Sequence, residues 1–303
     1  MQKINELQLA KELMKFPSIT PRDAGVMRFL EKKLKKMGFK TKILNFKEKN
    51  FQPVKNLYAK LGSKRPNFCF AGHLDVVPPG NIKDWTVNPF RPSIKKGHLI
   101  GRGANDMKGS VAAFVSAVSI FLNNNKSFNG SISLLITGDE EGDAVNGTKN
   151  FQPTNLEITK ININNTADNV IPGLADATFN IRFNNKHSSI SIKKKINKII
   201  KKICIKNKSK YKIDYNVSGE AFLTKPNSTT YMIQNIIKKV TKIKPKLSTT
   251  GGTSDARFIK KISPCLEFGL VGKTMHKIDE AVSLRDLKNL TKIYEKILQN
   301  YFK

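Results

Sequence analysis

The 303-residue sequence predicts an α/β protein built on a mixed sheet, with a small α+β subdomain in its middle. Three observations predict it. Strand-like and helix-like stretches alternate through residues 1–150 and resume from Tyr231. Lys108–Leu122 is apolar nearly all round (Val111, Ala112, Ala113, Phe114, Val115, Ala117, Val118), as a helix enclosed by the body of a fold must be. Between residues 151 and 218 the texture shifts to half-polar alternation around one lysine-rich helix, which sets off a second part.

The elements follow in order. Apolar residues at helical spacing predict a helix over Ile4–Phe16, stopped by Pro17, and a second over Asp23–Met37 that ends at Gly38. Short strands are expected at Lys40–Phe46, Asn56–Leu61 and Asn67–Ala71, with loops at Pro78-Pro79-Gly80 and Asn88-Pro89-Phe90. Strand Ser131–Ile136 follows the buried helix. In the middle part, Leu156–Asn164, Ala175–Arg182 and Tyr211–Val217 read as strands, and Ser188–Cys204 as an amphipathic helix. A helix from Tyr231 to about Lys242, a glycine-rich loop at Ser248–Asp255, a strand at Pro264–Phe268 and a helix at Leu284–Tyr301 complete the chain.

The formal net charge of +31 invites a nucleic-acid reading, because phosphate contacts dominate such binding. The lysines, however, are spread along the whole chain among Asn and Ile, so the charge is read as a compositional bias and no nucleic-acid partner is expected. The same field would draw a small acidic substrate into a cleft. No apolar run reaches the length of a bilayer span, and Met1–Lys15 lacks the apolar core of a signal peptide. Cys69, Cys204 and Cys265 are an odd number without CxxC spacing, which suggests neither a disulfide framework nor a cysteine metal site. No membrane partner is expected, and the expected address is cytoplasmic.

Four short stretches carry acid or imidazole at element ends. His73 and Asp75 follow an apolar strand; their spacing suits a metal-ligating imidazole steadied by a carboxylate, or a satisfied histidine at a strand end. Asp106, flanked by Gly101-Arg102-Gly103 and Gly109, is either a helix cap or a group placed for a ligand. Leu134-Leu135-Ile136-Thr137 runs into Asp139-Glu140-Glu141, three like charges best tolerated beside a cation. His276 falls in a loop and by itself reads as a surface histidine. Imidazole and carboxylate donors without cysteine suit zinc or a similar ion in a hydrolytic site.

Taken in order, Gly72–Gly80 (GHLDVVPPG), Trp85–Phe90 (WTVNPF), Gly101–Gly109 (GRGANDMKG) and Thr137–Gly142 (TGDEEG) resemble the aminoacylase/carboxypeptidase family of co-catalytic zinc hydrolases. Asn169–Gly173 (NVIPG), Phe179–Phe183 (FNIRF), Ser218–Thr224 (SGEAFLT), Ser248–Ile259 (STTGGTSDARFI) and Met275–Glu280 (MHKIDE) narrow the resemblance to its desuccinylase branch. The resemblance implies a zinc-aminopeptidase-like catalytic domain made of residues 1–150 and 219–303, with residues 151–218 as the remnant of a lid. It implies amide hydrolysis with two Zn2+ ions, Co2+ being a possible substitute. His73 would bind one metal, Asp106 would bridge, and Glu141 and His276 would bind the other. Asp75 would orient His73, Asp139 would position the turn, and Glu140 would be the general base. Asn169, Arg182 and the loop of Thr250, Gly251, Gly252 and Thr253 would contact substrate, the guanidinium by a bidentate grip on a carboxylate. A cis peptide is expected after Asp106.

The chain departs from that family after Gly147-Thr148. The family continues through a Gly-Glu-Pro-Thr stretch, whose Glu binds the metal on the His73 side. It then enters a lid that lends a histidine to a partner's site and forms a homodimer contact. Here Asn150 leads into Phe151-Gln152-Pro153-Thr154, which resembles a much later point. The implied consequences are a metal position reduced to His73 and Asp106, with Asp143 and Asp168 as candidate stand-ins. An exposed strand edge, a weakened dimer and weak or absent activity are also expected.

Overall fold

The computed structural model describes residues 3–47, 52–141, 154–163, 165, 169, 171–184, 186–217, 219–221, 224–248 and 256–303. The chain divides into two compact units. The first comprises Met1–Val145, Pro226–Lys246 and Leu266–Lys303, and the second Asn146–Lys225 and Leu247–Cys265.

In the first unit, α1 (Glu6–Met14) starts where the Asn5 side chain accepts the Gln8 N–H at 2.9 Å, and it buries Leu9, Ala10, Leu13 and Met14. Helix α2 (Val26–Lys36) is opened by the Asp23 carboxylate, which accepts from the N–H groups of Gly25 and Met27, each at 3.0 Å. It ends at Gly38, whose φ of 89° is open to a residue without Cβ. Strands β1 (Lys40–Phe46), β2 (Val54–Leu61) and β3 (Asn67–His73) follow. After a single 3-10 turn at Ile82–Asp84 come the three-residue strands β4 (Ser93–Lys95) and β5 (His98–Ile100). Helix α3 (Lys108–Asn124) and strand β6 (Ser131–Thr137) come next.

The main sheet runs β1-β2-β6-β3 and is mixed, as expected: β1/β2 and β2/β6 are antiparallel, β3/β6 parallel. The parallel pair explains how the site begins. In its register His73 stands opposite Thr137, and Leu74 N–H donates to Thr137 O at 3.1 Å, so both strands deliver their following residues at one sheet end. Helix α3 is enclosed as its composition requires, with Phe114 stacked on Phe70 of β3 at 4.4 Å between ring centroids. Helix α5 (Ser228–Thr241), strand β9 (Ala281–Ser283) and helix α7 (Leu284–Tyr301) complete this unit, with Tyr294 of α7 meeting Phe70 and Phe114 edge-on. Strand β9 pairs antiparallel with β5, Ala281 opposite Ile100, and this small β4-β5-β9 sheet brings the end of the chain beside Gly101–Asp106.

The second unit contains β7 (Asn155–Asn162) and β8 (Asp176–Arg182), paired antiparallel with a bulge near Ile158 and Lys160. Helix α4 (Ser189–Lys206) begins with a capping box between Ser188 and Ser191, and α6 (Ala256–Ile259) is one short turn. Every residue of β7 is exposed and none of α4 is buried.

Two predicted strands are absent. Tyr211–Val217 and Pro264–Phe268 form no ladder with any strand among the described residues. Alternation of apolar and polar side chains supplies a face, but a strand also needs a neighbour for its N–H and C=O groups, and Pro264 has no N–H to give.

Candidate metal centre

The end of β3 places His73, 4% exposed, with both ring nitrogens facing oxygen. Nδ1 lies 3.1 Å from the backbone carbonyl of Asp75 and 3.4 Å from its Oδ1; Nε2 lies 3.0 Å from Asp106 Oδ1. Asp106 precedes α3 across a cis peptide to Met107, as the resemblance implied. It is not the cap of that helix: Met107 occupies the N-cap, without a side-chain cap bond. The Asp106 carboxylate instead turns to imidazoles on both sides, its Oδ2 lying 3.1 Å from His276 Nε2. The same His276 nitrogen is 3.1 Å from Glu141. His276, read alone as a surface residue, is held on a loop in which Thr274 Oγ1 donates to Ala281 O at 2.9 Å and accepts from Ala281 N–H at 3.0 Å. Glu140 Oε2 stands 3.8 Å from His73 Nε2.

Ligand atoms of His73, Asp106 and Glu141 all lie within 4.8 Å of one another. The electrostatics express the same convergence. Burial acts to lower the His73 imidazole, but the Asp106 and Asp75 carboxylates outweigh it and raise it well above its ordinary value. His276 is pushed up to about 10 by its bonds to Asp106 and Glu141. For Asp106, burial works upward, while His276 and His73 hold the carboxyl far below the usual range. Glu141 is raised by burial, against the pull of His276, with the Asp106 charge adding to the rise. Carboxylates converging at one point favour positive charge there, and imidazole with carboxylate is a donor set that a divalent ion fits. The residues present therefore fit a metal ion.

Two contributions escaped the sequence reading. The acidic turn is held by Asp75, whose carboxylate accepts from Glu140 N–H at 3.3 Å and Glu141 N–H at 2.9 Å. Glu280, fully buried, accepts from Arg102 Nη1 and from the N–H groups of Gly103, Asn105 and Asp106. Its presence in the Met275–Glu280 stretch was the one available signal. Asn169 and Arg182 belong to the second unit, Arg182 as the last residue of β8. Thr250, Gly251, Gly252, Thr253, Asp143 and Asp168 lie outside the described residues.

An α/β scaffold with imidazoles and carboxylates converging at the sheet end defines a hydrolase of the metallopeptidase type. Residues 69–300 match peptidase family M20/M25/M40, and the chain belongs to that family. More particularly, it is 59% identical to the succinyl-diaminopimelate desuccinylase of Pelagibacter ubique (strain HTCC1062), the alignment covering 100% of each chain. It is 39% identical to the enzyme of that name from Parvibaculum lavamentivorans, over 98% of this chain and 95% of the other. Among solved structures, aminopeptidase PepT from Bacillus cereus superposes with a TM-score of 0.80 at 17% identity, covering 100% of both chains. The M20 family metallo-carboxypeptidase Sso-CP2 from Sulfolobus solfataricus gives 0.79 at 16%, covering 99% of both. These two likenesses show the fold.

The Pelagibacter alignment spans 384 positions, and a chain of 303 residues leaves at least 81 of them empty. Because the match runs the length of both chains, the empty positions are internal, which agrees with the break in the family pattern after Gly147-Thr148.

Proposed function

We propose that the protein hydrolyses the amide bond of N-succinyl-LL-2,6-diaminopimelate, giving succinate and LL-2,6-diaminopimelate, in the route to diaminopimelate and lysine. The observation that carries this reading is 59% identity to a desuccinylase, together with a site in which Asp106 joins His73 to His276 and Glu141. Asp106, Glu141 and His276 would hold a divalent ion, zinc by preference and cobalt as a substitute, with His73 on the other carboxylate oxygen of Asp106. When bound, such an ion polarises the scissile carbonyl and makes water nucleophilic at neutral pH. Glu140 takes the proton from the attacking water and returns it to the leaving amine. Asp75 keeps Glu140 and Glu141 in place through their backbone N–H groups. Asn169, Arg182 and Thr250–Thr253 are assigned to the substrate, whose carboxylates suit a guanidinium and a chain of net charge +31. An odd number of cysteines without CxxC spacing supports a cytoplasmic setting.

The internal positions without residues favour a second reading, a chain that binds metal and substrate without turnover. One experiment separates the two. Purified protein loaded with Zn2+ or Co2+ is assayed on the succinylated substrate, with metal content and substrate binding measured alongside. Turnover that falls about 10²–10⁴-fold in Glu140→Ala, at unchanged metal content, is expected. Binding of metal and substrate without hydrolysis would establish the second reading. Preference for another N-acyl amino acid or a dipeptide would place the chain elsewhere in the family.

A further inference from the structure

We propose that Glu280 is a positioning residue for the metal centre, its buried carboxylate setting the backbone that presents Asp106 to His73 and His276. The inference rests on the metal-dependent reading above.

The geometry is specific. Glu280 Oε1 accepts from Asn105 N–H at 2.8 Å and Asp106 N–H at 3.1 Å. Oε2 accepts from Arg102 Nη1 at 2.8 Å and Gly103 N–H at 3.0 Å. Its own carbonyl accepts from Gly101 N–H at 2.8 Å. Every partner of the carboxylate is a donor, and three of the four are backbone groups of the segment that ends in Asp106. The paired guanidinium extends the grip. Arg102 donates to Lys277 O at 3.3 Å, one residue past His276, and to Pro78 O at 3.2 Å, on the loop that follows Asp75. It also lies over the Trp85 ring at 5.1 Å. One buried ion pair thus touches the loops that carry three of the site's residues.

A buried ion pair is a weak source of stability, since desolvating two charges costs about as much as their attraction returns. What this pair provides is acceptor capacity at a place where four N–H donors converge. Glutamine cannot replace it: its amide nitrogen would set donors against two donors, whichever way it turned. Partners that orient metal ligands in this way are typically worth about 10–100-fold in metal affinity.

The test uses the full chain, freed of metal and titrated with Co2+ alone, followed by visible absorption, with amide hydrogen exchange recorded on the metal-free protein. Glu280→Gln should weaken Co2+ binding about 10–100-fold. It should also remove protection at Gly103, Asn105 and Asp106 while Val111–Val118 of α3 keep theirs. Leu290→Ala, in the core and away from the pair, serves as a control for general destabilisation and should leave Co2+ affinity near wild type. If Glu280→Gln does not fold, Glu280→Asp decides, because it keeps the charge but shortens the reach to the four donors. Affinity at least about tenfold weaker supports the proposal, the low end of the range such partners span, and a smaller loss overturns it. Glu280 variants that bind Co2+ as tightly as wild type overturn it, as does an equal loss in Leu290→Ala. A wild-type protein that binds no Co2+ sinks the metal-dependent reading itself, an outcome distinct from either.

Discussion

Asp75 works less through distance to a metal than through what its carboxylate holds. The two oxygens take the N–H groups of Glu140 and Glu141, while the closer contact to His73 Nδ1, at 3.1 Å, is the backbone carbonyl of the same residue. Asp75→Asn keeps that carbonyl but sets an NH2 group against one of the two amides. The expected result is Co2+ affinity lower by about 10–100-fold, measured by competition with a chromophoric chelator. Wild-type affinity in this variant would mean that the acidic turn holds itself. The His73–Asp75 spacing was legible in the sequence because strand geometry relates residues two apart. The hold of Asp75 on the turn was not, because its partners lie 65 and 66 residues further on and nothing local points to them. The same separation hid Glu280, whose partners stand 174 to 178 residues away.

Elements with their own periodicity were readable and those without it were not. The bounds of β1 and α7 agree with the pattern to the residue, and α3 was marked by its all-round apolar surface. Strands β4, β5 and β9, each three residues long, are too short to show alternation and exist because they find each other. Close approach between elements is equally invisible in sequence until backbones are placed. At Gly138, where β6 passes into the acidic turn, a Cβ would stand 2.5 Å from Lys55 O on β2. Gly138→Ala should therefore cost about 1–3 kcal/mol, read as a lower midpoint in urea, because that neighbour is backbone and cannot swing aside. Helices α1 and α2 are joined at the surface by Lys33 Nζ and Glu12 Oε2 at 2.8 Å. Burial pushes the Glu12 carboxyl upward, and Lys33 more than offsets this, leaving it below its ordinary 4.5. The pair's contribution is therefore present above that value and is lost as pH falls through the folded one. Solvent screening limits it to about 0.2–1 kcal/mol, so the stability gap between wild type and Glu12→Gln should narrow as pH falls below the ordinary 4.5.

Across the whole molecule, stability is expected to be uneven. The first unit encloses α3 and the mixed sheet, whereas α4 has no buried residue and Ile158, Ile161 and Ile199 are 61%, 62% and 58% exposed. A two-stranded sheet is marginal without a covering layer. Amides of β7, β8 and α4 should exchange well before those of β6 and α3; equal protection would show that the second unit is covered in solution. The pairing of Arg102 with Glu280 has a further consequence, which is one of timing. Arg102 is synthesised 178 residues before Glu280, the partner that closes its loop, and His276 arrives with that same late stretch. At about 5–20 residues per second, Asp106 emerges roughly 10–35 s ahead of the groups that aim it. A nascent chain thus exposes its first imidazole and carboxylates before Glu280 is there to set the Asp106 backbone. Metal capture with His276 as a ligand must wait until residues 276–280 have been made.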